Sequence, residues 1–327
     1  MYPAGRLNDA SRGRRRLTAT SLGHQPVLNK PALTYALYRF FLQRPPTQSA
    51  YQLVRHLAPM LTQFDPTSLQ HAKQTFGDTQ LPVDFQKLMQ QIEAEDILDT
   101  FILANRPSAI TVELLGLDAV KALRRAQKKI IFTTAHFGRY WPVGLGLRRA
   151  GLPSQAVIKD RLDANVFGLP QAEFDFRRWK LHIMQDVFGS VFHTTDQHPR
   201  QLRRSLAHQP IISLFDVPVG PSTPKATIHS LFSQRLRLNP NPARLAQVHD
   251  AYLVPFMNTQ TQGPYFQYQF FEPIRARDFE LVDLNAQLIA ILENQIQNNP
   301  AAWWLWPALP HFLTETDESL RHQTPTH

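Results

Sequence analysis

A change of hydrophobic period near Pro107 constrains the fold of this chain more than any other feature. Before it, the apolar residues recur at helical spacing, with Phe85, Leu88, Met89, Ile92 and Leu98 along one stripe. After it, short apolar runs alternate with helical stretches. Residues 110–115 read as a strand, 117–126 as a helix, and Ile130, Ile131 and Phe132 as a run with no polar face, the pattern of a strand covered on both sides. The rhythm continues with a helix at 144–150, a strand at 155–158, a helix near 172–181, and a helix at 200–207 that feeds a strand at 211–215. Residues 245–249 end a further helix, 252–256 read as a strand, and 265–271 alternate aromatic residues with glutamine. Asp283 is expected to cap the last long helix, whose inner face carries Leu284, Leu288, Ile291, Leu292 and Ile296. Alternation of this kind implies parallel strands joined by crossover helices, so an α/β sheet domain preceded by a helical segment is expected.

The chain has 327 residues, 43% of them hydrophobic, which is enough to bury a large core. The expected organisation is a basic tail over 1–25, a helical segment over 26–106, the α/β domain over 107–312 and a C-terminal tail over 313–327. Arg6, Arg12, Arg14, Arg15 and Arg16 repel one another in any compact state, so the first segment reads as a solvated leader with no secretory h-region. The apolar stretch 31–42 is short and broken by Arg39, well below the roughly 18 residues of a membrane span. A cytoplasmic or membrane-surface location is expected. The formal charge of +9 calls for an anionic partner or surface, yet no nucleic-acid module is visible and no nucleic acid is expected.

Several chemistries drop out on composition and motif. Cysteine is absent, which removes disulfides, thiolate metal sites and cysteine nucleophiles. No Walker A loop, dinucleotide fingerprint or serine elbow occurs. His193, Asp196 and His198 match no zinc spacing, so no metal is expected.

The most chemical stretch is Thr133, Thr134, Ala135, His136, Phe137 and Gly138, directly after the buried strand. In open α/β sheets ligands collect beyond the carboxyl ends of strands, and His136 has that address. Gly138 lets the backbone turn closely, and Pro142 fits only the first turn of the next helix. His136 is either a general base at this corner or a structural loop histidine. Asp216 follows the strand 211–215 and either faces the same crevice or caps the following turn. Basic residues cluster as Arg148 with Arg149, Lys159 with Arg161, Arg177 with Arg178 and Lys180, Arg203 with Arg204, and Arg235 with Arg237. These clusters are either phosphate clamps or solvated helix faces.

The order of these segments resembles the bacterial lipid A late acyltransferases, the lauroyl and myristoyl transferases of the lysophospholipid acyltransferase superfamily. The similarity is carried by 111–117, by the strand and His-Phe-Gly of 130–138, by Asp216, by Arg244, Leu245 and Ala246 followed by Val254, Pro255 and Phe256, and by the run 292–300 with Trp303, Trp304 and Trp306. The resemblance implies a glycerolphosphate-acyltransferase-like fold, a central mixed and largely parallel sheet flanked by helices. It implies acyl transfer from an acyl carrier protein or coenzyme A thioester to a hydroxyl or amine, with His136 as base, Asp216 in the site and no other cofactor. Arg139, Trp141, Lys159, Arg161, Arg177 and Arg178 become candidate substrate binders. Partners are the carrier protein or acyl-coenzyme A, and an anionic membrane surface at the inner face of the cell membrane. The chain departs from the family where an acid should follow the histidine, because position 141 is tryptophan. An active enzyme then needs Asp216, Asp160 or Asp163 against His136. Two rival readings are a non-catalytic member that binds an acyl chain or a carrier protein, and a nucleic-acid binder recognised by charge alone.

Overall fold

The computed structural model of the chain describes residues 30–42, 44–77, 81–159, 165, 168–194, 199–219, 226–232 and 234–313. The tail 1–25 and residues 314–327 lie outside that set. Four helices come first: α1 (Lys30–Leu37), which runs into a π turn (Tyr38–Leu42), then α2 (Thr47–Leu61), α3 (Pro66–Phe76) and α4 (Phe85–Asn105). The alternating region follows as β1 (Thr111–Leu115), α5 (Leu117–Arg125), β2 (Ile130–Thr134), α6 (Val143–Arg149), β3 (Gln155–Ile158), α7 (Gln171–Phe188), β4 (His193–Thr194), α8 (Pro199–His208) and β5 (Ile211–Leu214). A hairpin of β6 (Thr227–Leu231) and β7 (Gln234–Leu238) leads to α9 (Asn241–Val248), β8 (Tyr252–Gln262), β9 (Tyr265–Phe270), β10 (Ile274–Arg275) and α10 (Leu281–Asn298).

The central sheet has the order β1-β9-β8-β2-β5-β3-β4, with β10 added to β8. The run from β8 through β2, β5 and β3 to β4 is parallel throughout, and only the β8–β9 and β8–β10 pairs are antiparallel. The fold is therefore a mixed, largely parallel sheet flanked by helices. Helices cover both faces, and the period-two alternation of the strands divides their side chains between two cores. Ile130, Phe132, Val254 and Phe256 face one core with α2, α4 and α7. Ile131, Leu253 and Met257 face the other with α9, α10 and the segment around Trp303 and Trp306.

Two local expectations change and one hairpin is added. Asp283 does not cap α10, which starts at Leu281 behind an extended Glu280 and has no side-chain cap bond. Asp283 sits in the first turn, where its charge favours the helix dipole instead. Helix α7 continues to Phe188 and stops only at Gly189, whose φ of 69° supplies the left-handed C-cap. The β6–β7 hairpin was not apparent in the sequence, since Phe232 makes its turn at a φ of 54° without glycine.

The helical segment is not a separate body. Tyr38, Tyr51, Val54, Leu98 and Phe101 share one core with Phe132 and Phe256 of the sheet. Helix α4 buries charge as well as apolar surface, because it lies between α2, α7 and the loop after β2. Glu95 pairs with Arg55 at 2.7 Å and with Arg139 at 2.6 Å, Asp99 pairs with Arg139, and Asp96 pairs with Lys180. Each of these carboxylates meets a cation, as burial demands.

Glu93, on the same helix, titrates abnormally. Burial, reinforced by Asp96 and Glu173, pushes its carboxyl up to about 7. A raised carboxyl favours the folded protein while it is protonated, and that stability is lost as pH rises from about 4.5 to about 7. Glu93→Gln should match wild type at pH 4 and exceed it at pH 8 by on the order of 2 kcal/mol in denaturant unfolding. An equal difference at both pH values would refute the assignment.

Candidate active site

Strand register brings His136 to Asp216. In the parallel β2–β5 pair, Thr133 lies opposite Ser213 and Thr134 opposite Leu214. The pairing goes one step further, with the Phe215 N–H donating to the Thr134 carbonyl at 3.0 Å. The next two residues on each strand leave the sheet side by side, which sets His136 against Asp216.

The contact is extensive. Asp216 Oδ1 lies 2.8 Å from His136 Nδ1, and Asp216 Oδ2 accepts the His136 backbone N–H at 2.8 Å and the Trp303 indole N–H at 3.0 Å. Asp216 is 1% exposed and Trp303 is fully buried. A carboxylate that already accepts two fixed N–H groups is an acceptor toward the imidazole also, so Nδ1 carries the proton. In the neutral form of the ring the lone pair is then at Nε2, which has no hydrogen-bond partner among the described residues. The His136 side chain is 27% exposed, which leaves that edge open to solvent.

The C-terminal segment clamps the loop that bears His136. The Trp304 N–H donates to the His136 carbonyl at 2.9 Å, and the Gly138 N–H donates to the Ala302 carbonyl at 2.8 Å. The Trp304 indole donates to the Gly138 carbonyl at 2.8 Å, and Phe137 forms an antiparallel bridge with Trp303. Gly138 has a φ of 61°, and a Cβ there would lie 2.7 Å from Asn258 Oδ1. Both the conformation and the space call for glycine.

The remaining candidates scatter. Arg139 turns inward: it is 2% exposed and its guanidinium is taken up by internal acceptors. It donates to Asp99 Oδ2 at 2.7 Å, Glu95 Oε2 at 2.6 Å and the Gly263 carbonyl at 3.0 Å, between the rings of Tyr51 and Phe266. Trp141 is half-buried, stacked on Phe192 with Phe188 edge-on, and Lys180 lies 5.5 Å over its ring. Its indole only donates hydrogen bonds and cannot stand in for the missing acid. Arg177 and Arg178 are exposed on α7 and pair with Glu173 and Asp175 one turn before them. Lys159 is exposed at the end of β3. Arg161, Asp160 and Asp163 lie outside the described residues, as do Asp196 and His198. His193 bonds the Gln155 side chain, and no metal cluster occurs among the described residues.

Trp303 is the part of the site that sequence reasoning did not assign. The only signal was a tryptophan cluster after Pro300, and its partner is 87 residues away in the chain. A groove of about 680 Å³ between α1, α4 and α7, walled by Tyr35, Phe101, Phe176 and Trp179, contains no residue of the His136 site. The hydrogen bonds, not this concavity, mark the candidate centre.

No family model matches the chain, and no curated protein does. Among solved structures the chain is similar to the 1-acyl-sn-glycerophosphate acyltransferase PlsC of Thermotoga maritima, at 10% identity and a TM-score of 0.34, over 82% of this chain and 97% of that one. A superposition this loose carries no argument about chemistry.

Gly138 offers a direct check on the loop. Gly138→Ala meets both the left-handed backbone and Asn258, whereas Gly151→Ala, at a φ of 76° with open space around it, meets only the backbone. The second should cost about 1 kcal/mol and the first about 1–3 kcal/mol more. Equal costs in thermal or denaturant unfolding would show that Asn258 does not close that space.

Proposed function

We propose that the chain is an acyltransferase that moves an acyl group from an acyl carrier protein or coenzyme A thioester to a hydroxyl or amine of a lipid, sugar or metabolite. The carrying observation is the His136–Asp216 pair, with Nδ1 tied to a buried carboxylate and Nε2 open. The sequence resemblance to the lipid A late acyltransferases supports the same reading. The non-catalytic alternative rests on the missing acid at position 141; the Asp216 carboxylate 2.8 Å from His136 Nδ1 supports the catalytic reading instead.

The chemistry follows from those atoms. Nε2 accepts the proton of the acceptor as its oxygen or nitrogen attacks the thioester carbonyl carbon. Asp216 fixes the tautomer and stabilises the imidazolium that forms. The tetrahedral intermediate collapses, the carbon–sulfur bond breaks, and the imidazolium returns the proton to the departing thiolate. Products are the acylated acceptor and the free thiol, with no net redox change. Trp141 and the neighbouring Tyr140, whose ring is edge-on to His136 at 6.1 Å between centroids, would line the acyl side of this centre.

The net charge of +9 suits an acidic carrier protein or an anionic leaflet. No helix among the described residues is long and apolar enough to cross a membrane, so attachment to the inner face would be peripheral.

Two measurements test the reading. Purified protein with a panel of acyl thioesters and acceptors should release thiol and form acylated product. His136→Ala should abolish this, and Asp216→Asn should lower kcat by on the order of 10⁴, the effect of removing the orienting acid from a serine-protease triad. Transfer by Asp216→Asn at the wild-type rate would overturn the mechanism. Binding to anionic vesicles should weaken with salt and with deletion of residues 1–20, each arginine adding about 1 kcal/mol. Undiminished binding after that deletion would show that the tail is not the attachment.

A further inference from the structure

Arg139 is an unusual residue to find beneath a candidate catalytic loop. It lies three positions after His136, is 2% exposed, and spans the distance from the loop to helix α4. Its fork donates to both Asp99 oxygens, its other nitrogen reaches Glu95, and Tyr51 of α2 donates to the same Asp99 carboxylate. Arg55 closes the array on Glu95 at 2.7 Å. From the sheet side the Tyr268 hydroxyl donates to the Arg139 carbonyl at 2.7 Å. The loop is thus held at three places: His136 by Asp216, Gly138 by Ala302 and Trp304, and Arg139 by α4 and β9.

The need for the third hold follows from Gly138. A glycine at positive φ between His136 and Arg139 is the most compliant position of the loop. The hold on Arg139 fixes the chain just beyond that glycine, where the rings of Tyr140 and Trp141 pack against His136, Phe188 and Phe192. A planar, bidentate guanidinium between two carboxylates fixes direction as well as distance, which an ammonium cannot do.

We infer that Arg139 is a positioning residue, whose buried ion pairs with Glu95 and Asp99 make the N-terminal helices the gauge that sets the Tyr140–Trp141 wall against the His136 imidazole. The inference rests on the reading of His136 as the general base and adds to it a role for the helical segment. Arg139 acts through its neighbours and touches no reacting atom.

The test uses the full chain. Arg139→Lys keeps the charge and loses the fork. Arg139→Met combined with Glu95→Gln and Asp99→Asn removes the charges together, which guards against a variant that fails to fold around unpaired carboxylates. Each variant is checked for folding by near-ultraviolet circular dichroism, then assayed for kcat and KM with a saturable acyl thioester. The imidazole ¹⁵N resonances of His136, identified by comparison with His136→Gln, report its tautomer and mobility. The expected result is a kcat lowered about 10- to 100-fold with KM for the acyl thioester within about twofold, the scale of a misplacement near 1 Å. The Tyr140 and Trp141 ring signals should broaden while the His136 tautomer is kept. Folded variants with wild-type kcat and unchanged aromatic signals would overturn the inference. If wild type itself transfers nothing, the proposed function fails, and the aromatic signals still decide whether Arg139 positions the wall.

Discussion

One buried carboxylate organises this molecule. Asp216 lies out of water at the end of a central strand, where an unpaired charge would cost several kcal/mol. Its acceptors are met by the His136 backbone, the His136 ring and the Trp303 indole. Two of these donors come from the loop after β2, and the third comes from the far end of the chain. The carboxylate therefore ties the β2 loop, the β5 loop and the C-terminal segment into one unit. Trp303 follows the short turn Pro300–Ala302, which the Trp306 indole braces by donating to the Pro300 carbonyl at 2.7 Å and by packing edge-on against Trp303.

The same logic recurs one layer away with the charges reversed. Arg139 is a cation carried by the loop and buried among carboxylates of the helical segment. Buried ion pairs return little net stability, because desolvation offsets most of the attraction. Their value lies in direction, since a fork between two carboxylates admits one arrangement where an apolar contact admits many. The acids of α4 serve this purpose at a cost visible in Glu93, which sits beside Asp96 and Glu173 without a cation of its own among the described residues and is held protonated toward neutral pH.

Much of the fold was legible in the sequence. Ile130, Ile131 and Phe132 had to be a strand covered on both faces, because no polar side chain offered a solvated edge. The helical stretches between the strands then required crossovers and a parallel sheet. His136 and Asp216 were both recognisable as strand-end residues by their position after apolar runs. What separated them from a loop histidine and a turn cap was register, which local pattern does not encode: a shift of one residue in the β2–β5 pairing would have turned one side chain to the opposite face.

The sequence by itself determined the α/β class, the strand-end addresses of His136 and Asp216, and the glycine turn at Gly138. These follow from period, composition and backbone stereochemistry, which act over a few residues. Only the tertiary structure decided which carboxylate would orient His136, that Trp303 would donate to it, and that Arg139 would turn inward to α4 rather than outward to a ligand. Each of those outcomes joins residues 40 or more positions apart, as with Arg139 and Asp99 or His136 and Asp216. A charged side chain next to a candidate site reads the same in the sequence whether it faces water or an internal acid. The difference lies in desolvation and in the partners that the packed helices bring to it.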